Sequence, residues 1–266
     1  MITFKCLGRY GNIGNSLFQY SALLGVSNKT GFEARIPNNP TYYHKAYDNF
    51  NYSILDGFII DTPFIKNEEY KYEYNYGGFK FKEKIFNIKD NTNLFGYFQS
   101  EKYFNFCREY ILKKLTFKDS IRTLGDNLFK KLGIDPQETT SLHVRRGDYL
   151  KHPDTHPTQS VEYFNNGMSI LKNKNFLFFS DDIQWCIDNY KGKQNIFYSN
   201  SNNPFVDMYA MSKCRDNIIA NSSFSWWGAW LNNNTTKKVV APSLWFGKND
   251  KKSNNHDIIP EEWIIV

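Results

Sequence analysis

The chain has 266 residues, a hydrophobic fraction of 41% and a net charge of +6, enough for two compact domains of about 130 residues each. Its 33 basic side chains form no long tract, which argues against a nucleic-acid partner. The sequence shows no signal peptide, no run of about 20 apolar residues for a membrane span, and no Cys-x-x-Cys pair among its four cysteines. We therefore expect a cytoplasmic protein without an integral membrane segment.

The first half of the chain opens with a predicted strand over 2–7, a glycine-rich turn over 8–14 and a helix over 15–26. Aromatic and polar residues then alternate over 70–81 around the pair Gly77-Gly78, a pattern typical of a β-hairpin. The aromatic side chains would form the apolar face of that hairpin or, alternatively, stack on sugar rings.

A helix with Ser100 at its N-cap is predicted next and ends near Leu115, because its apolar residues recur at helical spacing. Beyond this helix the pattern is interrupted by glycine and proline, so we predict a domain boundary near residue 135. The predicted domains are 1–135 and 136–266.

The second half alternates short apolar strands with helices. The predicted strands are 141–145, 176–179, 195–198, 217–220 and 238–241, and the predicted helices are 161–172, with Ser160 as N-cap, 183–190, 205–213 and 224–231. This alternation predicts a parallel, doubly wound α/β sheet. Ligands bind such sheets at the carboxyl ends of the strands, where we therefore expect the functional residues.

Two adjacent arginines follow the first of these strands, in the sequence His-Val-Arg-Arg-Gly-Asp-Tyr at 143–149. A guanidinium is a planar cation that can grip a phosphate through two parallel hydrogen bonds. Arg145 and Arg146 can reach one ligand only if the chain leaves the strand there, and Gly147 would permit a sharp turn. The alternative is that the arginines merely pair with acidic side chains at the sheet edge.

Two other junctions offer anion sites. The turn over 8–15 places backbone N–H groups before a helix, although its glycine spacing matches neither the dinucleotide fingerprint nor the P-loop. The segment Asn-Ser-Ser-Phe-Ser-Trp-Trp-Gly-Ala-Trp at 221–230 enters a helix with small hydroxylic residues, which suits a phosphate or, more simply, a capped helix with an aromatic packing face.

Acidic residues begin two of the predicted helices. Asp207 could accept the N1 and N2 protons of a guanine or could be a solvated residue of the first helical turn. Asp181-Asp182 has the composition of a divalent-metal site, but capping of the following helix explains the same pair, and we favour capping.

Five ordered segments resemble the α-1,2-fucosyltransferases of glycosyltransferase family 11. They are Gly-Asn-Ile-Gly-Asn-Ser-Leu-Phe-Gln-Tyr at 11–20, Gly-Tyr-Phe-Gln-Ser-Glu-Lys-Tyr-Phe at 96–104, the arginine segment at 143–149, Phe-Ser-Asp-Asp at 179–182, and the aromatic segment at 221–231. Asn12 and Ser16 depart from the glycine and glutamine usual in that family, which bears on the choice of acceptor.

The resemblance implies a GT-B-like fold of two Rossmann-like domains, with the donor site in the cleft at the strand carboxyl ends. It also implies an inverting transfer of L-fucose from GDP-β-L-fucose to the 2-hydroxyl of a galactose-terminated glycan, with no cofactor and no metal. Arg145 and Arg146 would bind the diphosphate, in place of a metal ion. The remaining donor-binding residues would be His143 and Asp207 at the guanosine, Ser222, Ser223 and Phe224 at the phosphates, and Asn15.

Asp148 is the candidate catalytic base beside Arg145, or else a partner that holds one of the arginines in place. Two alternative functions stay open: fucosyl transfer with another linkage, and a non-catalytic protein that binds nucleotide sugars or glycans. A nucleotide-dependent oxidoreductase is disfavoured because the glycine spacing does not fit.

Overall fold

The computed structural model describes residues 1–38, 52–66, 70–247 and 257–266. These residues form two compact units. The first consists of the described part of Met1–Lys118 with 257–260, and the second of the described part of Asp119–Asn254 with Glu261–Val266.

The first unit is built on a parallel sheet. Its strands are β1 (Ile2–Thr3), β2 (Ala34–Arg35), β3 (Tyr72–Tyr76) and β4 (Thr92–Gly96), and its helices are α1 (Ile13–Thr30), α2 (Ile54–Gly57) and α3 (Arg108–Lys114). The strands lie in the order β2-β1-β4-β3, and every pair of neighbours is parallel. Helix α1 is longer than predicted and ends at Thr30. Its C-cap is Gly31, whose φ of 75° is the left-handed conformation that glycine adopts freely.

The predicted β-hairpin over 70–81 is wrong. Strand β3 pairs with β4 in parallel, Tyr76 opposite Gly96, and residues 79–81 are not in a strand. The hydroxyl of Tyr76 donates to the carbonyl of Lys80 at 2.6 Å, and a Cβ on Gly78 would lie 2.5 Å from that hydroxyl oxygen. Gly78 therefore makes room for the tyrosine ring.

The predicted helix over 100–115 is broken into 3-10 turns at Glu101–Tyr103 and Asn105–Cys107, followed by α3. Ser100 does cap the first turn, its hydroxyl accepting from the Lys102 N–H at 3.3 Å. The break lies at Phe104, which has non-helical backbone angles and is fully buried. At this point the segment crosses α1 so closely that a Cβ on Gly25 would come within 2.1 Å of the Tyr103 carbonyl.

The second unit has the predicted α/β alternation. Its strands are β5 (Thr139–Val144), β6 (Asn175–Ser180), β7 (Ile196–Tyr198), β8 (Asp216–Ile218), β9 (Val239–Ala241) and β10 (Ile264–Ile265), and its helices are α4 (Asp119–Leu132), α5 (Val161–Leu171), α6 (Ile183–Tyr190), α7 (Pro204–Lys213) and α8 (Ser223–Trp230). All six strands are parallel, in the order β10-β9-β8-β5-β6-β7. The Ser160 hydroxyl caps α5 as predicted.

The units divide between Lys118 and Asp119, and the predicted boundary at residue 135 falls inside the second unit. Helix α4 belongs to the second unit because Gly125 lets it lie against α7: a Cβ there would come within 2.3 Å of the Tyr209 ring. The Tyr209 hydroxyl also donates to Asp126 on α4 at 2.9 Å.

Strands β5 and β8 are neighbours although two strands separate them in the chain. From β5 the chain builds β6 and β7 on one side and then returns to build β8, β9 and β10 on the other. The carboxyl ends of β5 and β8 are thus the topological switch point, where open α/β sheets bind their ligands.

Candidate active site

The arginine pair lies just beyond β5, which ends at Val144, so both side chains have left the strand as the sequence analysis required. Arg145 Nη2 is 2.6 Å from Asp148 Oδ1, and its Nη1 is 3.0 Å from Asp181 Oδ2. Arg146 Nε donates to Asp182 Oδ2 at 2.9 Å. The pairing with acids, raised as the alternative to phosphate binding, is therefore present.

This pairing leaves donors available for a ligand. Arg146 uses only Nε for its carboxylate, and its Nη1 and Nη2 have no hydrogen-bond partner among the described residues. A partly buried guanidinium without a counter-ion would be costly to desolvate, so the carboxylates stabilise the arginines where they stand. Ion pairing and phosphate binding are compatible, because one guanidinium carries five N–H groups.

Gly147 makes room for a neighbouring side chain and is not in the left-handed conformation, since its φ is −19°. A Cβ at Gly147 would lie 2.6 Å from Asp181 Oδ2. The same Asp181 side chain accepts the backbone N–H of Arg146 at 2.9 Å through Oδ1. The glycine thus lets Asp181 approach the chain and hold both arginines at the end of β6.

The loop after β8 lies beside the arginine loop. The Tyr149 hydroxyl donates to the carbonyl of Asn221 at 2.9 Å, and the Asn221 side-chain amide donates to the carbonyls of Pro157 and Trp245, both at 2.9 Å. Its Oδ1 accepts from Gln159 Nε2 at 3.1 Å. Asn221 therefore joins the loops that follow β5, β8 and β9.

Ser222 and Ser223 begin α8 without a protein hydrogen bond to either hydroxyl within the described parts of the chain. Ser222 is the N-cap residue, yet its side chain caps no backbone N–H. In contrast, the Ser225 hydroxyl donates to the carbonyls of Ala220 and Ser222, at 3.4 and 3.3 Å. The first turn of α8 thus presents free hydroxyls at the positive end of a helix.

His143 and Phe224 lie where the two loops meet, with ring centroids 5.4 Å apart. Burial lowers the pKa of His143 to about 3, so its imidazole is neutral at physiological pH. Its Nδ1 is buried and has no hydrogen-bond partner among the described residues. A neutral imidazole beside an aromatic ring suits contact with an uncharged part of a ligand.

Asp207 begins α7 at the same edge of the sheet, beyond β6 and β7. The hydroxyls of Ser199 and Ser201 both donate to its Oδ1, at 2.6 and 2.7 Å, and Oδ2 has no partner in the described structure. Burial raises the pKa of Asp207 to about 6, although these two hydrogen bonds act to lower it. The residue is therefore no ordinary solvated acid of a first helical turn.

Asn15 lies in the first unit, at the start of α1. Its Oδ1 accepts from Gln99 Nε2 at 2.6 Å, and the side chain covers Gly11, where a Cβ would collide with it. Gly11 also has a φ of 83°. The two segments of the first unit that resemble the family, 11–20 and 96–104, are thus in contact, while a donor-binding role for Asn15 stays a prediction.

Asp181 and Asp182 face guanidinium groups, which explains their adjacency without a metal ion. Asp182 also caps α6 as predicted, its Oδ1 accepting from the Trp185 N–H at 3.2 Å. Among the described residues, no three His, Cys, Asp or Glu side chains are grouped to hold a metal. Trp185 was not predicted as a site residue, although its ring centroid is 4.5 Å from Arg146 Cζ. Its position three residues after a capping aspartate was the available signal.

The sequence model of Glycosyl transferase family 11 matches residues 9–266. The chain belongs to this family. It is 34% identical over 182 residues to the O-antigen biosynthesis glycosyltransferase WbnK of Escherichia coli, covering 64% of this chain and 60% of WbnK. It is 27% identical to an alpha-1,2-colitosyltransferase of Escherichia coli over 96% of both chains. The predicted family, and with it the class of glycosyltransferases, is confirmed.

The galactoside alpha-(1,2)-fucosyltransferase 1 of Rattus norvegicus is 25% identical, over 83% of this chain and 61% of the rat protein. The match thus spans less than two thirds of the rat protein and of WbnK.

Solved structures share the fold at low identity. NodZ alpha-1,6-fucosyltransferase soaked with GDP-fucose superposes with a TM-score of 0.54 at 15% identity, over 86% of this chain and 92% of NodZ. POFUT1 in complex with GDP-fucose gives 0.53 at 10% identity, over 86% and 92%. The predicted GT-B-like α/β class is confirmed. No helix in the described part of the family 11 chain is long and apolar enough to cross a membrane.

Proposed function

We propose that this family 11 protein transfers L-fucose from GDP-β-L-fucose to the 2-hydroxyl of a galactose-type acceptor, with inversion at the anomeric carbon. The observation that carries the proposal is the switch point between β5 and β8, where two guanidinium groups lie beside a loop with unengaged hydroxyls. Relatives that cover most of the chain are named for α-1,2 transfer of fucose or colitose.

One part of the site suits the diphosphate of the donor, and another part suits its nucleoside. The terminal nitrogens of Arg146, with Arg145 beside them, would bind the diphosphate together with the hydroxyls of Ser222 and Ser223. Neutral His143 would contact the nucleoside. The ionised Asp207, through its open Oδ2, would accept the N1 and N2 protons of guanine.

Departure of GDP places negative charge on the β-phosphate oxygen. Cations already fixed at that oxygen stabilise the transition state more than the ground state, and so they lower the barrier. In this proposal the arginines supply that stabilisation, and turnover needs no metal ion.

Asp148 is better explained as a residue that holds Arg145 than as the catalytic base. Its carboxylate Oδ1 is 2.6 Å from Arg145 Nη2, so the carboxylate is engaged by the guanidinium before any acceptor hydroxyl arrives. We therefore propose that Asp148 positions Arg145, and that the acceptor hydroxyl loses its proton to another group.

The test is a donor panel of GDP-fucose, GDP-mannose and a UDP-sugar, incubated with a β-galactoside in excess chelator. We expect acceptor-dependent release of GDP from GDP-fucose alone, and a product that NMR identifies as the α-1,2 fucoside. A different linkage in the product would refute the regiochemistry. Binding of the donor without any release of GDP would indicate a non-catalytic protein, and restoration of activity by Mn²⁺ would refute metal independence.

Colitosyl transfer is a second candidate, because the alpha-1,2-colitosyltransferase matches over 96% of both chains. Colitose is fucose without its 3-hydroxyl, so a GDP-colitose arm in the same panel separates the two. If kcat/KM is at least tenfold higher with GDP-colitose than with GDP-fucose, the donor sugar is colitose, and the rest of the site assignment is unchanged.

A further inference from the structure

Arg146 is held from two directions. Its Nε donates to Asp182 Oδ2 at 2.9 Å, and its Cζ lies 4.5 Å from the centroid of the Trp185 ring. The backbone N–H of Trp185 in turn donates to Oδ1 of the same carboxylate at 3.2 Å. Arg146, Asp182 and Trp185 therefore form a closed cycle of three contacts at the first turn of α6.

The two restraints have different effects on the guanidinium. The carboxylate fixes the edge that carries Nε, whereas an aromatic face attracts the cation and limits rotation of its plane. Together they leave Nη1 and Nη2 without a partner among the described residues. Arg145 is held differently, by carboxylates at both terminal nitrogens, and the Tyr149 ring is farther away, at 5.5 Å from its Cζ.

We propose that Trp185 is a positioning residue that orients Arg146 so that its two terminal nitrogens meet the diphosphate. The inference rests on the proposed function and deepens it. Trp185 does not touch the donor in this account, and its contribution passes through Arg146.

A purely structural role has to be separated from this one, because Trp185 also packs against the apolar core between α5, α6 and the sheet. Tyr190 offers a matched control: it is a buried aromatic residue on the same helix, packs in the same core, and hydrogen-bonds to the Val161 carbonyl at 3.4 Å. Its substitution should loosen the core without reaching Arg146.

The experiment is a set of double-mutant cycles on GDP affinity, measured by calorimetry. We expect Trp185→Leu to weaken GDP binding about tenfold and Trp185→Phe, which keeps an aromatic face, about threefold. In the Arg146→Lys background the effect of Trp185→Leu should fall below about twofold, because Lys lacks the planar fork that the ring orients. In the Arg145→Lys background the tenfold effect should persist, and Tyr190→Leu should change affinity less than about twofold while lowering the thermal midpoint.

An equal effect of Trp185→Leu in all three backgrounds, or no effect in the wild-type background, would overturn the inference and leave the proposed function standing. A wild-type protein that does not bind GDP at all would overturn the proposed function and this inference with it. If Trp185→Leu does not fold, the same double-mutant cycles are measured with Trp185→Phe, and the inference is judged by the same criterion.

Discussion

The loop after β5 and the loop after β8 contribute different chemistry to one edge of the sheet. In the first, the guanidinium groups of Arg145 and Arg146 are paired with three carboxylates. In the second, the hydroxyls of Ser222 and Ser223 have no partner among the described residues. The cations on this edge are therefore stabilised by protein carboxylates before any ligand binds, whereas the serine hydroxyls are available to a ligand.

This difference follows from the cost of desolvation. A partly buried cation without a counter-ion costs far more to desolvate than a neutral hydroxyl without a partner. We therefore expect the loop after β5, the charged loop, to govern both the fold of the site and catalysis. The loop after β8, the hydroxylic loop, should govern affinity for the ligand alone.

The largest effect should come from Arg145→Lys, which we expect to lower kcat/KM about a hundredfold or more with the fold retained. One ammonium cannot serve Asp148, Asp181 and a phosphate in the geometry of a planar fork. Steady-state kinetics and circular dichroism measure the two parts of the claim. The matched control is Arg122→Lys, at an exposed ion pair with Asp119 in the same unit; near-wild-type turnover of Arg145→Lys would refute the phosphate clamp.

In the hydroxylic loop, Ser222→Ala and Ser223→Ala should each weaken GDP binding about tenfold, the value of a hydrogen bond to a charged group. Neither should lower the thermal midpoint, because neither hydroxyl has a protein partner to lose. Ser225→Ala is the opposite control: its hydroxyl bonds within the protein, so stability should fall and GDP affinity should not. A destabilised Ser222→Ala would contradict the contrast between the two loops.

A smaller effect should appear on acidification, because the pKa of Asp207 is raised to about 6 by burial. Only the ionised carboxylate accepts both guanine protons, so protonation weakens binding. Between pH 7 and pH 5.5 the ionised fraction falls about fourfold, and GDP affinity should fall with it. The phosphate groups of GDP titrate in the same pH range. The contribution of Asp207 is therefore measured as the difference in pH dependence of GDP affinity between the wild-type protein and Asp207→Asn. Identical pH profiles would remove Asp207 from the guanine site; His143, with a pKa of about 3, stays neutral throughout.

Much of the second unit was predictable because its strands are buried runs separated by helices at regular spacing. That regularity predicts from the sequence alone that the arginine pair and the two serines lie at strand ends. The first unit was less predictable because its determinants are distant in sequence. Strand β3 takes its partner from Thr92–Gly96, and the break at Phe104 depends on Gly25 of α1.

Contacts within the candidate site were also hard to predict, because the residues that make them are distant in sequence. Nothing local in the sequence shows that Gly147 makes room for Asp181, or that Trp185 covers Arg146. Both contacts join β5 to the following β-α unit, across some 35 residues of chain. The sequence predicted that Asp148 would be either a base or a partner for an arginine, and its distance from Arg145 favours the second.

The central claim is that the edge formed by β5 and β8 recognises a nucleoside diphosphate through its second phosphate. Calorimetric titration of the wild-type protein with GDP and with GMP tests this directly. We predict that GDP binds about a hundredfold or more tightly, since the second phosphate meets two guanidinium groups and two hydroxyls. Equal affinities for GDP and GMP would contradict the account.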